Sequence, residues 1–290
     1  MNRDTMKDTI DWLLTIEYLA SSFYSEVGVR FKENGKLSQF FQQLSEEETW
    51  HAQVMISALE YLLQHVAPTF SISVDDQTKA KLAGPFIKNR KLLAAGNLSK
   101  QSVVDCLAAT EFSEWNNIFV YVVQSLKEDR KFMPVAAKMH RHLLDIEDFL
   151  KSLPEGQKHF PVINSLPRVW KEHILIIDDD LSIVNFLSKL LEHEGQVSTA
   201  QNGKEGLQKI KEQYFDVIIS DISMPVMNGL EFYSQASAFD PEIGKRIIFF
   251  SGAPSPEHTK FFKQNNLKFL MKPAPIMEIV NNVSAILHKT

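Results

Sequence analysis

Adjacent aspartates at Asp178-Asp179, a third aspartate at Asp221, the hydroxyl of Ser251 and the amine of Lys272 each follow or close a short apolar run. Three carboxylates gathered in one place hold a hard divalent cation through oxygen ligands, and Mg²⁺ with several waters suits that set best. Such a cation and the ammonium of Lys272 would neutralise an incoming phosphoryl group while the Asp221 carboxylate attacks it. The Ser251 hydroxyl would then hydrogen-bond a phosphoryl oxygen. Taken singly, each feature is ordinary: Asp178-Asp179-Asp180 alone reads as a solvated turn, and Lys272-Pro273 as a loop. Their order and common placement make the signal.

The placement comes from the elements around them. Val217-Ile218-Ile219-Ser220 reads as a strand buried on both faces, as in parallel sheets. Ile174–Ile177, Arg246–Phe250 and Lys268–Met271 repeat the pattern, and Val197–Ala200 is a shorter candidate. Between them run helical stripes marked by Leu187/Leu191, Leu207/Ile210, Phe232/Tyr233, Phe261/Phe262 and Ile279/Val283/Leu287. This alternation predicts an α/β, doubly wound fold with a five-stranded parallel sheet covered on both faces. Ligands of such sheets bind beyond the carboxyl ends of the strands, and the acids, the hydroxyl and the lysine all fall there.

On these residues, positions from about 173 to 290 resemble the receiver domain of two-component response regulators. The resemblance implies a flavodoxin-like fold, with Asp178 and Asp179 as the acidic pair and Asp221 as the phospho-acceptor. Ser251 matches the switch hydroxyl, Lys272 the lysine, and Ser223 the residue whose backbone carbonyl completes the Mg²⁺ shell. Phe269 matches the aromatic switch residue. It also implies a histidine kinase or phosphotransfer protein as partner, Mg²⁺-dependent self-phosphorylation and dephosphorylation, and pairing into a homodimer.

The chain of 290 residues is long enough for two domains, and 44% apolar residues can fill two cores. No apolar run is long enough to span a bilayer and the N-terminus is polar, so no membrane association is expected. Cys106 is the single cysteine, which excludes an intrachain disulfide and suits a reducing cytoplasm. A net charge of −5, with no strongly basic segment, argues against nucleic acid as a partner. The last helix is expected to run nearly to Thr290, leaving no DNA-binding output domain after the receiver.

The N-terminal half reads as all-helical. Helices are expected from about Asp4 to Lys32, Lys36 to Val66, Ser99 to Lys127 and Phe132 to Leu153, with a shorter one near 76–95. Two long hairpins joined by a crossover make a four-helix bundle over residues 1–153. Residues 154–172, rich in proline and poor in periodicity, read as a linker to the receiver at 173–290.

Several polar residues fall on the apolar stripes. Glu17 lies between Leu13 and Tyr24, Glu48 and His51 between Leu44 and Met55, and Glu111 between Leu107 and Ile118. Buried carboxylates are costly unless paired or metal-bound, and inward Glu with Glu-x-x-His is a di-iron carboxylate pattern. Here the bundle resembles rubrerythrin-like members of the ferritin family. The resemblance implies an iron site drawn from Glu17, Glu48, His51, Glu111 and His142, but places Met139 where a glutamate belongs. His140 or Glu147 would be the substitutes; an altered single-metal site and a metal-free bundle are the alternatives. The expected whole is a cytoplasmic response regulator whose phosphorylation alters the bundle's interactions with a downstream protein. The competing expectation is a phosphorylation-gated di-iron oxidase or peroxidase, or a redox or iron sensor.

Overall fold

The computed structural model describes residues 2–65, 73–126, 129–166, 170–252 and 255–287. The expected ends at Val66, Lys127 and Thr290 lie outside them. The chain divides into two compact units, residues 1–169 and 170–290.

The first unit is helical. Helix α1 (Asn2–Arg30) turns back through residues 31–34 into α2 (Gly35–Gln64), where the Asn34 side chain accepts the Leu37 N–H at 3.2 Å. The pairs Gly28/Ser38, Ser21/Ser45 and Glu17/His51 run in opposite chain directions, so the two helices are antiparallel. Gly28 permits their close approach: a Cβ there would meet Gln42 Cγ at 3.1 Å and the Ser38 carbonyl at 3.3 Å. Helices α3 (Asp76–Ala94), α4 (Lys100–Glu111), α5 (Glu114–Ser125) and α6 (Val135–Lys151) follow. Ser99 caps α4 as expected, accepting the Ser102 N–H at 3.0 Å.

The helix expected from Ser99 to Lys127 is broken at Phe112-Ser113. Side chains take over backbone groups at the break: Ser113 Oγ accepts the Trp115 N–H at 3.3 Å, and Asn116 Nδ2 donates to the Glu111 carbonyl at 2.5 Å. Beyond the break Trp115 and Phe119 are fully buried, the Trp115 ring 6.0 Å from that of Phe86 and the Phe119 ring 5.3 Å from that of His51. Burying an aromatic side chain of this size contributes roughly 1.5–3 kcal/mol.

Part of the stretch read as linker is ordered. Pro154–His159 forms a 3₁₀ helix and Phe160–Ile163 a short α7. Lys158 and His159 both reach Asp105 on α4, at 2.8 and 2.9 Å, and Gln101 Nε2 donates to the Glu155 carbonyl at 3.3 Å. Polar pairs rather than an apolar stripe hold this segment, so it leaves no helical periodicity in the sequence.

The second unit is a parallel sheet in the order β2-β1-β3-β4-β5. Its strands are β1 (His173–Ile177), β2 (Gln196–Ala200), β3 (Val217–Ser220), β4 (Ile247–Ser251) and β5 (Lys268–Met271). Strand periodicity divides the core in two. Ile174, Ile176, Val217, Ile219, Ile248 and Phe250 pack with α8 (Leu181–Leu191) and α12 (Ile276–Leu287). Leu175, Ile177, Ile218, Ile247 and Phe249 pack with α9 (Gly203–Glu212), α10 (Gly229–Ser237) and α11 (Pro256–Gln264). At the amino edge, Asp216 Oδ2 accepts the His173 N–H at 2.8 Å and the Trp170 indole N–H at 3.0 Å, fixing where the chain enters this unit.

Candidate functional site

The carboxyl edge of the sheet gathers the acids. The Asp221 N–H donates to the Ile177 carbonyl at 2.8 Å, and the Asp178 N–H to the Ala200 carbonyl at 3.0 Å. These bonds extend the ladder past β1 and β3 and set the two side chains next to each other. Lys272, placed after β5 by its N–H on the Ser251 carbonyl at 2.7 Å, reaches both. Its Nζ lies 2.6 Å from Asp178 Oδ2 and 2.9 Å from Asp221 Oδ1. The second oxygens are held by backbone: Asp221 Oδ2 accepts the Ser223 N–H at 2.6 Å, and Asp178 Oδ1 the Asp180 N–H at 2.9 Å.

The loop after Asp221 depends on Gly229, since a Cβ there would sit 2.1 Å from the Asp221 carbonyl oxygen. Asn228 and Glu231 then form a capping box that starts α10.

Burial disfavours the Lys272 ammonium, but its bonds to Asp178 and Asp221 outweigh that and raise its pKa. Burial raises the Asp178 pKa despite the pull of Lys272. Asp179 stands exposed beside them, and Ser251 is buried at the end of β4. Phe269 is half-buried and stacks on Phe262 with ring centroids 5.1 Å apart. Three carboxylates against one ammonium leave about two negative charges of hard oxygen donors, a set that fits a divalent cation of the Mg²⁺ kind.

The helical unit brings together all five of its sequence-predicted residues from four helices. His51 Nδ1 lies 2.8 Å from Glu48 Oε2 and 3.4 Å from Glu17 Oε2. His142 Nε2 lies 3.4 Å from both Glu48 Oε1 and Glu111 Oε2. Among the described residues, Glu48, His51 and His142 present donor atoms within 4.8 Å of one another. Glu17 Oε2 and Glu48 Oε1 are buried without a hydrogen-bond partner. Met139 is fully buried on the same helix as His142, so a thioether stands where another carboxylate was expected.

Burial pushes the Glu17 carboxyl up to about 8, and Glu48 also well above the usual range. Burial opposes the charge of His142, but Glu111 and Glu47 outweigh it and raise its pKa. His140 and Glu147, the expected substitutes, instead line a neighbouring cavity.

Four residues of this cluster were not singled out as site residues from sequence. Trp115 Nε1 donates to Glu17 Oε1 at 2.9 Å, the Tyr24 hydroxyl donates to Glu111, and Glu47 Oε2 holds His142 Nδ1 at 2.7 Å. Asn116 ties down the Glu111 carbonyl. The run Glu46-Glu47-Glu48 was the available signal for Glu47, because a histidine ligand commonly has a carboxylate on its other nitrogen.

Residues 174–284 match the family model of the response regulator receiver domain. The chain is 31% identical over 121 residues to the response regulator receiver protein CpdR of Brucella abortus, covering 40% of this chain and 97% of CpdR. It is 31% identical over 118 residues to the transcriptional regulatory protein ZraR of Klebsiella oxytoca, but spans only 26% of that protein. A receiver domain structure from Methanospirillum hungatei has 30% identity, covers 41% of this chain and 96% of its own, and has a TM-score of 0.39. The Vibrio cholerae chemotaxis protein CheY4 has 31% identity, covers 40% of this chain and 99% of its own, and has a TM-score of 0.38. A relative matched along nearly its whole length decides the assignment: through its second unit, this chain belongs to the response regulator receiver family.

Proposed function

We propose that Asp221 is the phospho-acceptor of a phosphorelay and that a histidine kinase or phosphotransfer protein is the donor. A carboxylate oxygen of Asp221 forms the new P–O bond as the P–N bond to the donor's histidine breaks, and the electron pair leaves on the imidazole. The observation that carries this reading is the double contact of Lys272 Nζ with Asp178 and Asp221 at the carboxyl edge. That ammonium is placed to follow the negative charge from Asp221 onto the phosphoryl oxygens. Asp178, Asp179, Asp221 and the Ser223 carbonyl would hold Mg²⁺, which supplies further charge neutralisation when bound. Ser251 and Phe269 then register the phosphoryl group by a shift between two states. Asp221→Asn removes the anionic nucleophile and should abolish labelling by acetyl phosphate in Mg²⁺, read as intact mass. Undiminished labelling of that variant refutes the assignment.

A second reading concerns the helical unit and rests on the meeting of Glu17, Glu48, His51, Glu111 and His142 in one buried cluster. We infer a ferritin-like bundle whose donor set suits one transition-metal ion. Two imidazoles and the Glu48 carboxylate would ligate one cation, with the Glu17 and Glu111 carboxylates beside them to balance its charge, and Met139 denies a second ion its carboxylate. Iron-replete protein should therefore carry no more than roughly one ion per chain, and Met139→Glu should raise this toward about two. Two tightly held irons in the parent, with oxidase or peroxidase turnover, favour the enzymatic alternative. Among the described residues no helix is long and apolar enough to cross a membrane.

A further inference from the structure

A cavity of about 470 Å³ opens in the helical unit, between the break that separates α4 from α5, the face of α6 carrying His140 and Leu144, and the segment around Ile163. That volume falls in the range of small-molecule sites, roughly 300–1,000 Å³. It is far larger than packing defects in a well-filled core. Its walls combine apolar surface from Leu82, Phe112, Leu143 and Ile163 with eight polar or charged residues, so a ligand there would need both an apolar body and polar groups.

The charged side chains of the lining are already engaged. Glu147 pairs with Lys151 at 2.7 Å, His159 with Asp105 at 2.9 Å, and Glu111 is held by Tyr24 and His142. Lys81 and His140 have partners as well. A charged ligand would therefore lose its hydration without meeting a free counter-charge. Among the described buried polar side-chain atoms of the lining, one lacks a hydrogen-bond partner. Asn116, 2% exposed and part of the lining, gives its N–H to the Glu111 carbonyl, and its Oδ1 lacks a hydrogen-bond partner. That oxygen presents almost no accessible surface to the cavity, so a donor brought in from outside would satisfy it through a turn of the Asn116 side chain.

We infer that this cavity binds an uncharged small molecule with an apolar body and a hydroxyl or amide donor. The cavity shares Glu111 with the neighbouring cluster, so its ligand is tested on metal-free protein.

The test uses 4-phenylphenol as a neutral probe and 4-phenylbenzoate as its charged counterpart, with the full chain stripped of metal by chelation. Calorimetry should show saturable binding of the phenol with Kd below about 1 mM, and at least about tenfold weaker binding of the benzoate. Ala109 is exposed on α4 and lines the cavity, so Ala109→Trp fills the space without entering the core. This variant should lose phenol binding while keeping the parent's circular dichroism and acetyl phosphate labelling. Methyl resonances of Leu143 and Leu144 should shift with the phenol in the parent alone. No saturable binding, equal binding of the benzoate, or undiminished binding by folded Ala109→Trp overturns the inference. Labelling at Asp221 is unaffected by any of these outcomes, so failure here leaves the phospho-acceptor reading standing.

Discussion

Two acidic clusters in one chain handle the same electrostatic problem differently. At the sheet edge, Asp178 and Asp221 sit beside an ammonium that bonds both, with Asp179 open to water. In the helical unit, Glu17 and Glu48 lie fully buried among imidazoles, and their carboxyls are pushed toward the protonated form. The first cluster keeps its charge balanced by a fixed ammonium and in reach of water. The second can hold its charge only when a cation or a proton neutralises it. Proximity of acids is therefore a poor guide to their role; access to water and the nature of the counter-charge separate the two.

The comparison is sharpened most by removing a charge from the open cluster. Asp179→Ala should weaken Mg²⁺ binding by at least about tenfold, whereas Lys272→Ala should leave it intact or tighten it by removing a repelling charge. Magnesium titrations that rank the two variants the other way would break the division of labour drawn for that edge.

The buried cluster gives a smaller effect, with a definite sign. The folded pKa of Glu17 lies near 8 against 4.5 for the free side chain. A raised folded value means that its contribution is fully present below 4.5 and is lost as pH rises through about 8. Metal-free protein should become steadily less stable across that window, and Glu17→Gln should flatten the slope. Urea unfolding followed by circular dichroism at several pH values tests this; an identical slope in the variant shows that Glu17 ionises freely in the fold.

The smallest effect belongs to the helix break that brings Trp115 to Glu17. Ser113→Ala removes the cap of α5 and should cost about 1 kcal/mol of stability. A neutral result in the same unfolding experiment would mean that packing of Trp115 alone sets the break.

The receiver edge was legible in sequence because each chemical residue there ends a strand, and strand ends converge by topology alone. The helical cluster was legible in part, since Glu17, Glu48, His51, Glu111 and His142 interrupt apolar stripes at helical spacing. Their partners were hidden for a different reason. Trp115, Tyr24 and Glu47 look like ordinary core or surface residues until α1, α2, α4, α5 and α6 acquire a register, and that register joins positions far apart in the chain. The break at Phe112-Ser113 was missed because apolar residues continue on both sides of it while side-chain caps make the turn. The ordered turns at 154–163 were missed because ion pairs to Asp105 leave no periodic trace.

The Asp216 anchor carries a mechanical consequence. Trp170 and His173 are fastened to the residue just before β3, and Asp221 is the residue just after it. Five residue steps of extended chain separate the tether from Asp221, roughly 16 Å at strand spacing. The covalent attachment thus grips the receiver at the far end of the strand from Asp221, and a load applied through it would act on the amino edge of the sheet rather than on the carboxyl edge that carries Asp178, Asp221 and Lys272.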